Sequence, residues 1–256
     1  MGEGGHLALL IYRNKRSASI GSETNGLQNY DQLYADVLLW VNKGWIDYCV
    51  PQLYWEIGHK AADYETLIKW WNEYCGHRPL FIGEDIERTV KHADPNNPKS
   101  HQMAAKFLLH SQMENVQGTV LWYAKAAVDN VGNYATTLRQ NYWRYPALQP
   151  LLPYIDKKAP GKPVKVKQIK TDDGPVLFWQ APKAKKWGDE AIKYVVYRFA
   201  KGDKVDTDNA SNIVAVTTNT FYKLPYINGN HRYTYLVTTL DRLQNESKPA
   251  KKKVKL

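Results

Sequence analysis

Cysteine is nearly absent from the 256 residues. Only Cys49 and Cys75 occur, which excludes a disulfide-stapled scaffold and any Cys-rich zinc module. Phenylalanine is scarce as well, at five, against nine tryptophans and eighteen tyrosines. The aromatics are thus weighted toward rings with a polar handle, as the walls of a polar-ligand cleft are, although a large core draws on the same residues. No apolar run approaches the roughly 18–20 residues of a membrane-spanning helix. The opening Met1-Gly-Glu-Gly-Gly-His6 lacks the basic-then-apolar order of a signal peptide, so no export signal is expected on this chain. His59, His77, His92, His101 and His110 have no metal-ligand spacing with a third partner. A Gly-rich phosphate loop and a G-x-S-x-G elbow are also missing, so no metal or other cofactor is expected.

The formal charge of +10 is unevenly placed. Residues 1–160 hold 16 basic and 16 acidic side chains, whereas residues 161–256 hold 19 and 9. The break coincides with Asp156-Lys-Lys-Ala-Pro-Gly-Lys-Pro163, whose two prolines and glycine among polar residues read as an interdomain linker. The sequence therefore predicts one domain over 1–155, a linker at 156–163 and a second domain over 164–256.

In the first domain short apolar runs alternate with stretches of helical period. Strands are predicted at Leu7–Tyr12, Ile46–Trp55, Pro79–Gly83 and Gly118–Ala124. One helix face is predicted from Tyr30, Leu33, Tyr34, Val37, Leu38 and Val41, stopped by Gly44, and another from Tyr64, Leu67, Ile68, Trp71 and Cys75, opened by Asp63. A third, capped by Ser100, carries Met103, Ala104, Phe107 and Leu108, and a last helical stretch runs from about 133 to 142. Four βα units imply an α/β architecture with a parallel sheet. A complete (β/α)8 (TIM-type) barrel takes about 250 residues, so this part is a partial barrel, an open sheet, or half of a dimer. From Pro163 the period changes to two. Strands around Val166, Val176–Trp179, Tyr194–Phe199, Ile213–Val216 and Tyr233–Leu240 predict an all-β, immunoglobulin-like sandwich of the cysteine-free fibronectin type III variety, with Trp179 in its core.

Ligands of parallel βα folds bind beyond the C-terminal ends of the strands. Those ends read Arg13-Asn14; Gln52-Leu-Tyr54-Trp55-Glu56; Glu84-Asp85; and Trp122-Tyr123-Ala-Lys125. Amides, carboxylates, cations and aromatic rings on one rim suit a carbohydrate, which buries an apolar ring face and needs fixed partners for its hydroxyls. Glycoside hydrolysis needs two carboxyl groups flanking the bond. Glu56 is the catalytic candidate, because Tyr54 and Trp55 could desolvate it; a surface glutamate in a salt bridge is the competing reading. Glu84 and Asp85 are adjacent and cannot both face a cleft, so one binds sugar or caps a helix. Arg13 and Lys125 either orient substrate or form rim ion pairs. The tail Lys248–Leu256 is either a nucleic-acid contact or a last strand with solvated lysines. RNA-type interleaving of aromatic and basic residues is absent, so nucleic acid is not expected as a partner.

The stretches Thr24–Asp36, Gly44-Trp-Ile-Asp-Tyr-Cys-Val-Pro-Gln-Leu-Tyr-Trp-Glu-Ile-Gly58, Asp63–Trp71 and Gly118-Thr-Val-Leu-Trp-Tyr123 resemble the bacterial glycoside-hydrolase-like family 10. The resemblance covers strands five to eight of such a barrel plus the C-terminal module. It implies a (β/α)8 barrel followed by a fibronectin-like domain, in cell-envelope, periplasmic or extracellular enzymes acting on glycan strands, including peptidoglycan glycan without stem peptides. The family's Asp-Asp-Tyr motif, at the end of its fourth strand, does not occur here, and Leu9-Leu10-Ile11 stands where the family tends to Pro-Phe-Gly. The expectation is a truncated member, weak or inactive alone, completed by a missing N-terminal barrel half or by a homodimer. A non-catalytic glycan-binding or envelope-attachment protein is the alternative.

Overall fold

A computed structural model describes residues 5–10, as backbone, and 29–256 apart from residue 185. Two compact units divide between Arg144 and Tyr145.

The first unit is built from βα crossovers. Strand β1 (Gly5–Leu10) leads to two short helices, α1 (Asn29–Leu33) and α2 (Val37–Lys43), then β2 (Ile46–Gln52). Helix α3 (Tyr64–Tyr74), β3 (Leu80–Asp85) and α4 (Ile86–Lys91) follow. A small antiparallel hairpin, β4 (Ala93–Asp94) with β5 (Asn97–His101), precedes α5 (Met103–Gln112) and β6 (Val116–Trp122). Helices α6 (Ala124–Val128) and α7 (Tyr134–Thr137), the latter extended by a wide turn over Leu138–Tyr142, close the unit. The order β1-β2-β3-β6 is sequential and every pairing is parallel. Gly83 permits close strand approach, because a Cβ there would sit 2.9 Å from the Pro51 carbonyl oxygen.

Caps explain several boundaries. Asp63 Oδ2 accepts from the Thr66 amide at 2.8 Å and opens α3, while Gly44, at φ 70°, closes α2. The single helix expected across Tyr30–Val41 is two helices. Tyr34 has φ 52° and lies 90% exposed, and Asp36 starts the second helix by accepting from the Leu39 amide. The face of α5 also differs from expectation. Met103, Ala105, Lys106 and Leu109 are buried, whereas Leu108 is 55% exposed, and Ser100 belongs to β5 instead of capping the helix. The reason is Lys106, which turns inward to a buried carboxylate.

The helices cover one face of the parallel sheet. Cys49, Leu80 and Ile82 pack with Leu67, Ile68 and Trp71. Along β6, Thr119 meets His110 of α5 and Leu121 joins the helix-side core. Strand alternation then sends Val120 and Trp122 to the opposite face, where they are 47% and 55% exposed. Both cysteines are buried, and Cys49 together with burial pushes the Cys75 thiol pKa up, so it is no nucleophile. No described helix is long and apolar enough to cross a membrane.

The second unit is an antiparallel sandwich of two sheets. Strands β7 (Val164–Thr171), β8 (Gly174–Gln180) and β11 (Phe221–Lys223) form one sheet in the order β11-β8-β7. Strands β9 (Lys193–Ala200), β10 (Ile213–Thr217), β12 (Arg232–Leu240) and β13 (Ala250–Lys255) form the other, ordered β10-β9-β12-β13. Trp179 fills the core with Tyr194, Val196, Tyr235 and Val237. The basic tail forms the last strand, β13, with Lys251, Lys253 and Lys255 exposed. Residues 156–163 pack onto this unit: Pro160 and Pro163 are buried, Thr239 donates to the Gly161 carbonyl at 2.6 Å, and Lys158 pairs with Asp189 at 3.1 Å.

Candidate functional site

The C-terminal ends of β2, β3 and β6 bring three groups together. Gln52 is in register with Gly83, and Asp85 with Trp122. Beyond β2 the chain passes through fully buried Leu53 to Tyr54, whose ring stacks on Trp122 with centroids 6.5 Å apart and planes 22° from parallel. Burial, then the charges of Asp85 and Glu84, push the Tyr54 phenol pKa up, so it stays a neutral hydroxyl beside carboxylates. A polar-tipped aromatic wall with an amide and a carboxylate beside it thus stands at the open end of the sheet. Tyr123 follows Trp122 through a cis peptide and donates from its hydroxyl to Glu87 at 2.9 Å.

Glu56 lies on the loop after Tyr54. Its carboxylate is about a quarter exposed and sits 3.5 Å from Nε2 of His92. Trp55 packs against the helix-side core, its ring 6.2 Å from that of His59, so it is part of the loop's base. Buried Gln102 holds this loop from behind: its Oε1 accepts from the Ile57 amide at 2.9 Å, and its Nε2 faces the Ile57 carbonyl at 3.4 Å. Replacing Gln102 by alanine strands a part-buried N–H, at a cost of about 1–3 kcal/mol. A fall in the urea midpoint of that size is expected, and an unchanged midpoint would show that water replaces the amide.

Glu84 is corrected as a ligand-facing residue. It is fully buried and points at the helices. The Tyr64 hydroxyl donates to Oε1, the Lys106 ammonium donates to Oε2 at 2.9 Å, and His110 Nε2 lies 3.3 Å from Oε1. Lys106 also donates to Thr89 Oγ1 at 3.2 Å, and Thr119 faces the other nitrogen of His110. His110 Nε2 also lies 2.6 Å from the Tyr64 hydroxyl oxygen. Burial alone would raise the Glu84 pKa, but Lys106, His110 and Tyr64 outweigh it and hold the carboxyl below its ordinary value.

Asp85 is the helix cap of the adjacent pair: its Oδ1 accepts from the Arg88 amide at 2.9 Å, opening α4. Lys125 is an exposed rim residue paired with Asp129 one turn along. Arg13 and Asn14 lie outside the described residues. Sequence reasoning missed Lys106 and Gln102, and it weighed His92 and His110 only as metal ligands. The one available signal was a lysine at position 106 in a helix otherwise apolar from Met103 to Leu109.

An aromatic and carboxylate-bearing rim on a parallel βα sheet is the kind of site that glycoside hydrolase-like proteins present. Residues 12–100 match the family described as glycosyl hydrolase-like 10. The chain is similar to glycosyl hydrolase YngK of Bacillus subtilis (strain 168), 33% identical over 252 residues, which cover 96% of this chain and 48% of that one. Glycosyl hydrolase DigH of Escherichia coli O6:H1 is 44% identical over 155 residues, covering 58% of this chain and 32% of its own. The chain thus spans about half or less of these curated relatives. Among solved structures, FN3tt shares 19% identity at a TM-score of 0.28, over 38% of this chain and 95% of that one.

Proposed function

We propose that the first unit is part of a (β/α)8 glycoside hydrolase barrel and supplies one side of a glycan cleft. The observation that carries this is the Tyr54–Trp122 stack beside Gln52 and Asp85 at the strand ends. The open face bearing Val120 and Trp122 fits a barrel interior that other strands complete, either from a second copy or from a further segment. Glycan strands of the cell envelope, peptidoglycan among them, are the proposed ligand. Tyr54, Trp122 and Tyr123 would carry sugar faces, with Gln52 and Asp85 binding hydroxyls. Glu56 is the proposed catalytic carboxylate, with His92 beside it.

Little hydrolysis is expected from this chain by itself. Glycosidic cleavage takes two carboxyl groups, whereas Glu84 is committed to Lys106 and Asp85 to the start of α4. Stem-peptide-free glycan strands offered to the purified chain should be retained with only trace release of reducing ends. Trp122→Ala should weaken retention about tenfold, the loss of about 1.4 kcal/mol of stacking and burial. Fast release abolished by Glu56→Gln would show a complete active site. Retention untouched by Trp122→Ala would remove the proposed cleft.

A further inference from the structure

We propose that one end of the sandwich is a separate binding site for an anionic polysaccharide. Strand β13 buries only Val254, so alternation leaves Lys251, Lys253 and Lys255 on the surface. The β9–β10 turn adds Lys201, the start of β12 adds Arg232, and the ends of β7 and β11 add Lys170 and Lys223. All of these side chains except Lys251 line three adjoining grooves, which share Lys201 and Arg232 on one side and Lys255 on the other. Two of the grooves hold about 520 and 740 Å³. Lys170, Lys201, Lys223, Arg232, Lys253 and Lys255 are all exposed, and none forms an ion pair among the described residues. Asp173 is the acidic residue lining the grooves. Closely spaced cations with so little neutralisation attract a repeating anion, because each contact releases condensed counterions.

The groove walls favour a carboxylated or phosphorylated glycan. Tyr226 is 91% exposed and stands next to Pro225 in the groove, an apolar and hydroxyl-tipped surface for a sugar face. Tyr233 already lies under the Arg198 guanidinium, 5.4 Å from its ring centre. One free ring does not make the row of stacking platforms by which single-stranded nucleic acid is held. This site lies in the second unit and does not depend on the glycan cleft proposed for the first.

The test titrates the full chain with polygalacturonate, with neutral dextran and a DNA duplex as comparisons. Binding to polygalacturonate, absent for dextran, should weaken at least about tenfold between about 50 and 200 mM salt. Arg232→Gln combined with Lys253→Gln and Lys255→Gln should cost about tenfold or more in affinity. Lys162→Gln, Lys183→Gln and Lys186→Gln remove the same charge from the opposite end, where Val164 pairs with Gln180. Those should cost less than about twofold, since charges more than a Debye length away are screened. All six positions are exposed, so both variants should melt with the parent. The proposal is overturned if polygalacturonate fails to bind, if the two triple variants lose affinity equally, or if DNA binds as tightly as polygalacturonate.

Discussion

Replacing Lys106 by methionine should destabilise the first unit by about 3–5 kcal/mol, the cost of leaving a buried partner charge uncompensated. Glu84 and Lys106 are both out of water, and the ammonium is the cation that offsets the carboxylate's desolvation. The pH dependence gives the sign. In the parent, the depressed Glu84 pKa contributes stability that is fully present above the unfolded value of about 4.3 and fades as pH falls through the folded value. Without Lys106, burial pushes the same carboxyl up, so the folded state binds the proton more tightly and the variant gains relative stability toward acid. Urea unfolding should therefore find a larger difference between parent and variant at pH 7 than at pH 4. Glu84→Gln added to Lys106→Met should recover more than half of the loss. A single-variant cost below about 1 kcal/mol would mean that water reaches the pair and the desolvation argument fails.

Trp179→Ala should remove a large part of the stability of the sandwich. The indole is fully buried and meets the Tyr194 ring edge-on at 5.4 Å, within a core of Leu177, Val196, Tyr235 and Val237. Truncating a buried tryptophan costs about 3–5 kcal/mol, against a total of about 5–15 kcal/mol for a domain. Calorimetry should show the transition of the second unit falling by more than about 12 °C, with that of the first unit unmoved, since each has its own core. Trp179→Phe should cost less than half as much, because it keeps most of the volume and removes an indole N–H that has no acceptor among the described residues. Equal costs for the two substitutions would show that the indole nitrogen has a partner after all.

Local signals made much of this fold legible. Asp63 and Gly44 mark helix ends by side-chain capping and left-handed backbone, and neither needs a distant partner. Apolar runs of β2, β3 and β6 announce strands covered by helices, and reading the strand ends was enough to put Tyr54, Asp85 and Trp122 at one edge of the sheet. Failures arose where a long-range partner decides. A helix-face argument ranks Leu108 above Lys106, yet Glu84, 22 residues away in sequence, rotates the helix to bury the lysine. The adjacent pair Glu84-Asp85 was correctly expected to diverge, but which carboxylate turned inward depended on Tyr64, Lys106 and His110 converging from α3 and α5. Segment 156–163 had linker composition, and the hydroxyl of Thr239 and the carboxylate of Asp189 tie it to the sandwich instead.

Strand β13 is the last in its sheet, and a strand there offers unpaired backbone groups to any extended chain that comes near. Its alternating lysines sit on that border, so a neighbouring molecule attempting to add a strand would have to bring its own backbone against a row of like charges. The residues that invite a polyanion therefore also discourage self-association of the sandwich. Their neutralisation, by acetylation or by a saturating anionic ligand, would trade away this protection along with the charge.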